Sequence, residues 1–161
     1  MLPTAELLSA LAPLFFLLLL ILTGTFLFIL MRPRRVYFIR HGETILNAQH
    51  IKQGAEGGLS ELGKQQAIAV GAKLAPLKID VILSSPYERA METSAIIAEH
   101  TKAPVSYSPL LAERRNPTEI IGKDRDDPAG VRIIDEMDLA YHDDEYRNSD
   151  EENFQDLKKR A

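Results

Sequence analysis

An α/β domain on a mostly parallel sheet, preceded by one transmembrane helix, is the fold class the sequence predicts. Three observations carry it. Short apolar, β-prone runs stand at 36–39 and 79–83, with a third extended run at 104–111. Helix-period segments separate them, so strand, helix, strand, helix, strand is the order of crossover units in a three-layer αβα arrangement. A long apolar stretch, Leu7 to Met31, comes before all of them.

That stretch, taken as a helix, spans about 37 Å at 1.5 Å per residue, enough to cross a bilayer with some tilt. Pro13 falls in its first part, where it costs less than at the centre. Arg32, Arg34 and Arg35 follow it, while Glu6 is the one charged side chain before it. The positive-inside rule then puts the N-terminus outside and the rest in the cytoplasm, a single-pass membrane protein. A cleaved signal peptide is disfavoured, because there is no basic start and no Ala-x-Ala site. The expected organisation is an anchor with basic flank over 1–34 and an α/β domain over 35–161. The competing reading starts the protein at Met31 and makes it cytoplasmic.

After the first strand, Asn47 to Gly58 reads as loop. Ser60 is a candidate cap for a helix that runs to Ala75, where Pro76 stops it. The second strand, Ile79 to Leu83, ends in Ser84-Ser85. Pro86 then suits the first turn of a helix reaching about His100, burying Ala90, Thr93 and Ile97 and exposing Glu88, Glu92 and Glu99. Beyond Glu113 the pattern weakens. Asn116-Pro117 and Asp127-Pro128 mark turns, and Asn153 to Arg160 reads as the first turns of a new helix, with Phe154 and Leu157 on one face.

The 161 residues carry a net charge of −4 and no cysteine. Thiolate catalysis, disulfides and cysteine-based metal sites are therefore excluded. Asp124 to Asp156 is strongly acidic, which argues against nucleic-acid binding.

The chemistry gathers at strand ends. Arg40-His41-Gly42-Glu43-Thr44 follows the first strand, where ligand sites of open α/β sheets form. Arg40 offers a planar fork for phosphate, and His41 an imidazole able to attack or to shuttle a proton. Gly42 lets the backbone turn or a ligand approach closely. Arg89 sits in the first turn of the helix after the second strand. If the strands are neighbours, Arg40 and Arg89 converge on His41, which describes a phosphoryl site. Each residue also has a plain reading. Arg89 fits a solvated helix arginine paired with Glu88 or Glu92, and Glu113 an exposed glutamate paired with Arg114 or Arg115. His50, His100 and His142 read as surface histidines.

Taken together, the motifs resemble the histidine phosphatase superfamily, the phosphoglycerate-mutase-like proteins. The likeness rests on Arg40-His41-Gly42-Glu43-Thr44 with Asn47, then Gln53-Gly54 and Leu59-Ser60-Glu61-Leu62-Gly63. Ser84-Ser85-Pro86 with Arg89-Ala90 and Thr93, and Leu111-Ala112-Glu113, complete it in order. The resemblance implies that His41 becomes a phosphohistidine while Arg40 and Arg89 hold the non-bridging oxygens. It implies that Asn47, Gln53 and Gly54 border the substrate, and that Glu113 serves as acid and then base. No metal or other cofactor is implied. The partners implied are a small phosphorylated substrate and, through residues 7–31, a membrane. Arg114-Arg115-Asn116-Pro117 stands where mutases of glycolysis carry tyrosine and glycine, which favours phosphomonoester hydrolysis over mutase activity. Arg114, Arg115 and Lys123 are candidates for a second anionic group, or form a solvated basic patch. The family's second active-site histidine, on a late strand before glycine, has no match, and His142 sits among carboxylates. The expectation is a domain incomplete at its C-terminus: either a fragment or frameshifted product of a full enzyme, or a short protein with impaired catalysis. The alternative of a different class is a non-catalytic, membrane-tethered module that binds anions or partners.

Overall fold

The computed structural model describes residues 4–30 and 35–160. The chain divides into two compact units, Met1–Phe38 and Ile39–Ala161. Met31, the alternative start, and Arg32 and Arg34 of the basic flank lie outside the described residues.

In the first unit, α1 runs over Thr4–Leu30 with Pro13 inside it. Its stretch Leu11–Phe28 has mean hydropathy 2.5 and is exposed throughout. Leucine and phenylalanine side chains pointing outward all round a helix need an apolar environment. By length and composition, this helix is able to cross a membrane. Thr23 and Thr25 return their hydroxyls to the helix's own carbonyls, at 2.8 Å from Leu19 and Ile21. Both polar groups are thereby paired within the helix itself.

The expected strand at 36–39 does not form. These residues have no strand assignment, and Phe38 is 96% exposed. Apolar, β-prone residues make a strand only against a partner's backbone. The two described strands pair with each other alone: β1, Ile82–Ser84, runs parallel to β2, Val105–Tyr107, with Ile82 opposite Val105. The predicted run from Ile79 is thus strand only at its end, and Leu83 and Tyr107 are exposed. The full three-layer sandwich is reduced to a two-stranded parallel ribbon with helices packed beside it.

Those helices follow their sequence signals closely. After α2, a single turn over Ile45–Ala48 capped by the Thr44 hydroxyl, comes α3 over Glu61–Leu74. The Ser60 hydroxyl caps α3 by accepting the Gly63 N–H at 3.0 Å, and Pro76 follows its end. Gly63, Ala67 and Gly71 are its buried residues, one small face at a spacing of four. That face packs on α4, Glu88–Thr101, which also packs on both strands. Helix α4 buries Arg89, Thr93, Ser94 and Ile97. Glu92, expected to be exposed, is half-buried and accepts the Leu59 N–H at 2.8 Å.

Further on, Pro109–Leu111 and Thr118–Ile120 are single 3-10 turns. A helix then appears where only a turn was expected: α5, Pro128–Leu139. Asp127 caps it by accepting the Gly130 N–H at 2.8 Å, and Pro128 opens it. The same dipeptide that marks a turn is also a helix start. The last helix, α6, covers Phe154–Arg160. Asn153 and Asp156 exchange side-chain and backbone hydrogen bonds at its start, a reciprocal cap.

Candidate active site

The loop Arg40–Thr44 is held by uncharged contacts on three sides. The Gly42 N–H donates to Thr93 Oγ1 on α4 at 3.2 Å, and that hydroxyl donates to the Arg89 carbonyl at 2.7 Å. The Glu43 N–H donates to Gln66 on α3 at 2.9 Å, and the Ser60 N–H to the Glu43 carbonyl at 2.9 Å. Glycine is required on both sides of this contact. A Cβ on Gly42 would stand 2.4 Å from the Gly63 carbonyl oxygen, and one on Gly63 only 1.9 Å from that of Glu43. The close approach expected at Gly42 is thus made by the backbone of α3.

This anchoring sets the imidazole. His41 Nδ1 lies 2.7 Å from the Gly42 carbonyl oxygen. A carbonyl only accepts, so Nδ1 carries the hydrogen, and in the neutral ring Nε2 keeps the free lone pair. His41 lines an open cleft of about 340 Å³ together with Arg40, Glu43, Asn47, Gln66 and Arg125. Glu43 is engaged there with the Ser60 hydroxyl at 2.6 Å.

Arg89 does not line that cleft. Its side chain is 5% exposed and its guanidinium donates to the Gly54 carbonyl at 2.7 Å and to Glu113 Oε2 at 2.9 Å. Tyr87 lies under it, with the ring centroid 4.8 Å away. A buried guanidinium needs acceptors, and a carboxylate with a carbonyl supplies them. Of the two forks expected to converge on His41, Arg40 lines its cleft and Arg89 does not. Neither plain reading holds either: Arg89 and Glu113 pair with each other, not with their chain neighbours.

Gln53 is occupied within the protein. Its amide accepts the Thr44 hydroxyl at 2.7 Å and donates to the carbonyls of Glu56 and Gly57 at 2.8 and 2.7 Å. It fixes the loop beside the cleft, and Thr44 beneath it is fully buried. Gly54 meets Arg89 through its carbonyl. Of the expected substrate contacts, Asn47 and Arg40 line the cleft.

Arg114 and Arg115 are spent elsewhere. Arg114 donates to the fully buried Glu151 carboxylate at 2.7 Å and to the Glu152 carbonyl at 2.9 Å. Arg115 donates to the Asp150 carbonyl at 3.3 Å. His142 packs against Tyr141 and Phe154, with ring centroids 5.1 and 5.5 Å away. His50 is exposed and faces Asp124 and Asp126 at 3.6 and 3.7 Å. Among the described residues these three form the one grouping of metal-capable ligand atoms, and all are exposed. The Asp126 N–H, with His50 adding to it, holds the Asp124 carboxyl below its usual range.

Sequence reasoning missed Arg125. No motif marks it, and it reaches the cleft through backbone pairing of 122–125 with 50–52.

Comparison with known proteins places the chain in a family. The family model described as "Histidine phosphatase superfamily (branch 1)" matches residues 36–161. A glucosyl-3-phosphoglycerate phosphatase of Mycolicibacterium vanbaalenii is 38% identical over 84 residues, 52% of this chain and 37% of that protein. A protein named "Probable phosphoglycerate mutase GpmB" from Erwinia tasmaniensis is 39% identical over 80 residues, 49% of this chain and 37% of its own length. The solved mycobacterial glucosyl-3-phosphoglycerate phosphatase in complex with VO3 superposes with a TM-score of 0.60 at 28% identity, covering 76% of this chain and 58% of that one.

Proposed function

The chain belongs to the histidine phosphatase superfamily, and from that footing we propose that it hydrolyses a phosphomonoester through a phosphohistidine at His41. The observation that carries this reading is the bond from His41 Nδ1 to the Gly42 carbonyl, 2.7 Å long. It turns the other nitrogen, Nε2, into a fixed nucleophile beside a guanidinium. Nε2 attacks phosphorus in line as the ester oxygen leaves. Arg40 holds the non-bridging oxygens and Asn47 borders them.

Glu113 protonates the leaving oxygen, then takes a proton from the water that releases phosphate. Its bond to Arg89 gives that step a second part. Arg89 and Glu113 lie outside the cleft lining, so for both to act on a phosphoryl group at His41 their ion pair must open. The released Glu113 carboxylate must then take up a proton from solvent before it donates one. Glu113 is well placed to part, being 68% exposed against 5% for Arg89.

Among the described residues His41 is the one imidazole lining the cleft. Release of phosphate to water is favoured over mutase transfer, because Arg114-Arg115-Asn116-Pro117 follows Glu113 where the mutases of glycolysis carry tyrosine and glycine. Helix α1 serves as a single-pass anchor in this proposal, with 35–161 on the cytoplasmic side.

The test is trapping. A brief exposure to an activated phosphomonoester such as p-nitrophenyl phosphate should leave an acid-labile phosphoryl group on the chain. His41→Asn should remove it. Equal labelling of both proteins would sink the proposal.

A further inference from the structure

Resting on the reading of Glu113 as the acid that protonates the leaving oxygen, we propose that Arg160 and Glu152 are positioning residues for that step. They fasten the backbone on either side of Glu113, so that its side chain alone moves when it parts from Arg89.

Glu113 stands where the chain supplies no frame of its own. Residues 112–117 form neither helix nor strand, and a side chain on such a segment is held only as well as outside contacts hold its backbone. Those contacts come from α6 and the residues just before it. The Arg160 guanidinium reaches back 50 and 48 positions to donate to the carbonyls of Leu110 and Ala112, at 2.9 and 2.8 Å. Beyond Glu113, the Glu152 carboxylate accepts the Arg115 N–H at 3.2 Å, and the Glu152 N–H donates to the Arg115 carbonyl at 3.0 Å. The Tyr87 hydroxyl donates to the carbonyl of Glu113 itself at 3.2 Å.

The two clamps are one unit. Arg160 Nε and Nη2 hold the two oxygens of the Glu152 carboxylate at 2.5 and 3.1 Å, a bidentate pair. A planar fork of five N–H donors can span a carboxylate and two carbonyls at once, which the single ammonium of a lysine cannot. Against this fixed backbone, the Glu113 carboxylate is bonded to Arg89. Opening that pair frees the carboxylate and leaves the clamps on Leu110, Ala112 and Arg115 in place. The restraint matters because a misplacement near 1 Å costs about 10²-fold in rate.

The experiment is a single-turnover comparison on the full chain with phenyl phosphate and 2,4-dinitrophenyl phosphate, following release of the phenol. As the Nε2–P bond forms and the ester P–O bond breaks, the proton of Glu113 passes to the departing phenolate oxygen. Dinitrophenolate departs with little need of that proton, whereas phenolate depends on it. Glu113→Gln sets the scale, and should lower the ratio of the phenyl to the dinitrophenyl rate by about 10²–10⁴-fold. Arg160→Ala should lower the same ratio by about 10²-fold, and Arg160→Lys by less. The ratio of two rates on one preparation is independent of the fraction folded, so a loss of stability alone leaves it unchanged. A wild-type ratio in Arg160→Ala, beside a lowered one in Glu113→Gln, would overturn the inference and leave Glu113 as the acid. A wild-type ratio in Glu113→Gln would remove that reading and this inference together, as would a wild type that releases neither phenol.

Discussion

Two arginines, Arg40 and Arg125, line the His41 cleft and hold no carboxylate among the described residues, whereas Arg114, Arg147 and Arg160 are each tied to one within 151–156. Apart from the Glu43 carboxylate, which accepts the Ser60 hydroxyl, the cleft loop is fastened by neutral contacts: Gly42 to Thr93, Glu43 N–H to Gln66, and two glycines in backbone contact. The later segment is fastened by charge. Glu151 accepts Arg114 and the Asn148 N–H, and Arg160 reaches Glu152 together with the carbonyls of Leu110 and Ala112. The contrast teaches where guanidinium groups are spent. Arg114, Arg147 and Arg160 are neutralised inside the protein, whereas Arg40 and Arg125 keep their charge at the cleft, as Arg132 does on the surface of α5.

The comparison breaks most visibly at Arg114. Arg114→Ala leaves the fully buried Glu151 without its cation, and breaking such a pair costs about 3–5 kcal/mol. Chemical denaturation should show that loss. A change within the range of an ordinary surface substitution would mean that charge does not hold this segment.

Next in size is Arg89→Ala, which should lower phosphoenzyme formation by about 10²–10³-fold if Arg89 leaves Glu113 for the phosphoryl group. An unchanged rate would show Arg89 to be structural, like Arg114. Gly63→Ala sharpens the neutral side of the comparison. Its Cβ meets the Glu43 carbonyl and must displace the His41 loop, and a misplacement near 1 Å costs about 10²-fold in rate. Labelling of His41 should fall accordingly, and normal labelling would show that the glycine contact does not set the imidazole.

Acid gives the smallest effect. Arg160 holds the Glu152 carboxyl below its usual range against the opposing pull of burial, and the Thr118 hydroxyl and N–H do the same for Asp150. A depressed carboxyl stabilises the fold above its unfolded pKa, and that contribution disappears as pH falls through the folded value. Mild acid should therefore raise amide exchange over 144–160 before 40–101. Simultaneous loosening of both would remove the distinction.

The features legible in the sequence were local ones. Ser60 caps α3 three residues before the N–H it receives, Asn153 opens α6 in the same way, and Arg89 lies in the first turn of α4. The failures are those of long-range partners. Val36 to Ile39 has strand composition, but its pairing depends on backbone elsewhere. Arg114 is neutralised by Glu151, 37 positions away, and also held by a carbonyl 38 positions away. Arg125 reaches the cleft through a ladder with 50–52 that no local pattern announces. The Asp127-Pro128 pair was ambiguous in itself, since a turn and a capped helix begin alike.

The central claim is that His41 is held through Nδ1 so that Nε2 takes the phosphoryl group. Phosphorus–nitrogen correlation by NMR on ¹⁵N-histidine protein, after loading with an activated phosphomonoester, tests it most directly. The account predicts a single phosphohistidine at residue 41, bonded through Nε2. A phosphoryl group on Nδ1 or on another residue would contradict it, as would no phosphohistidine at all.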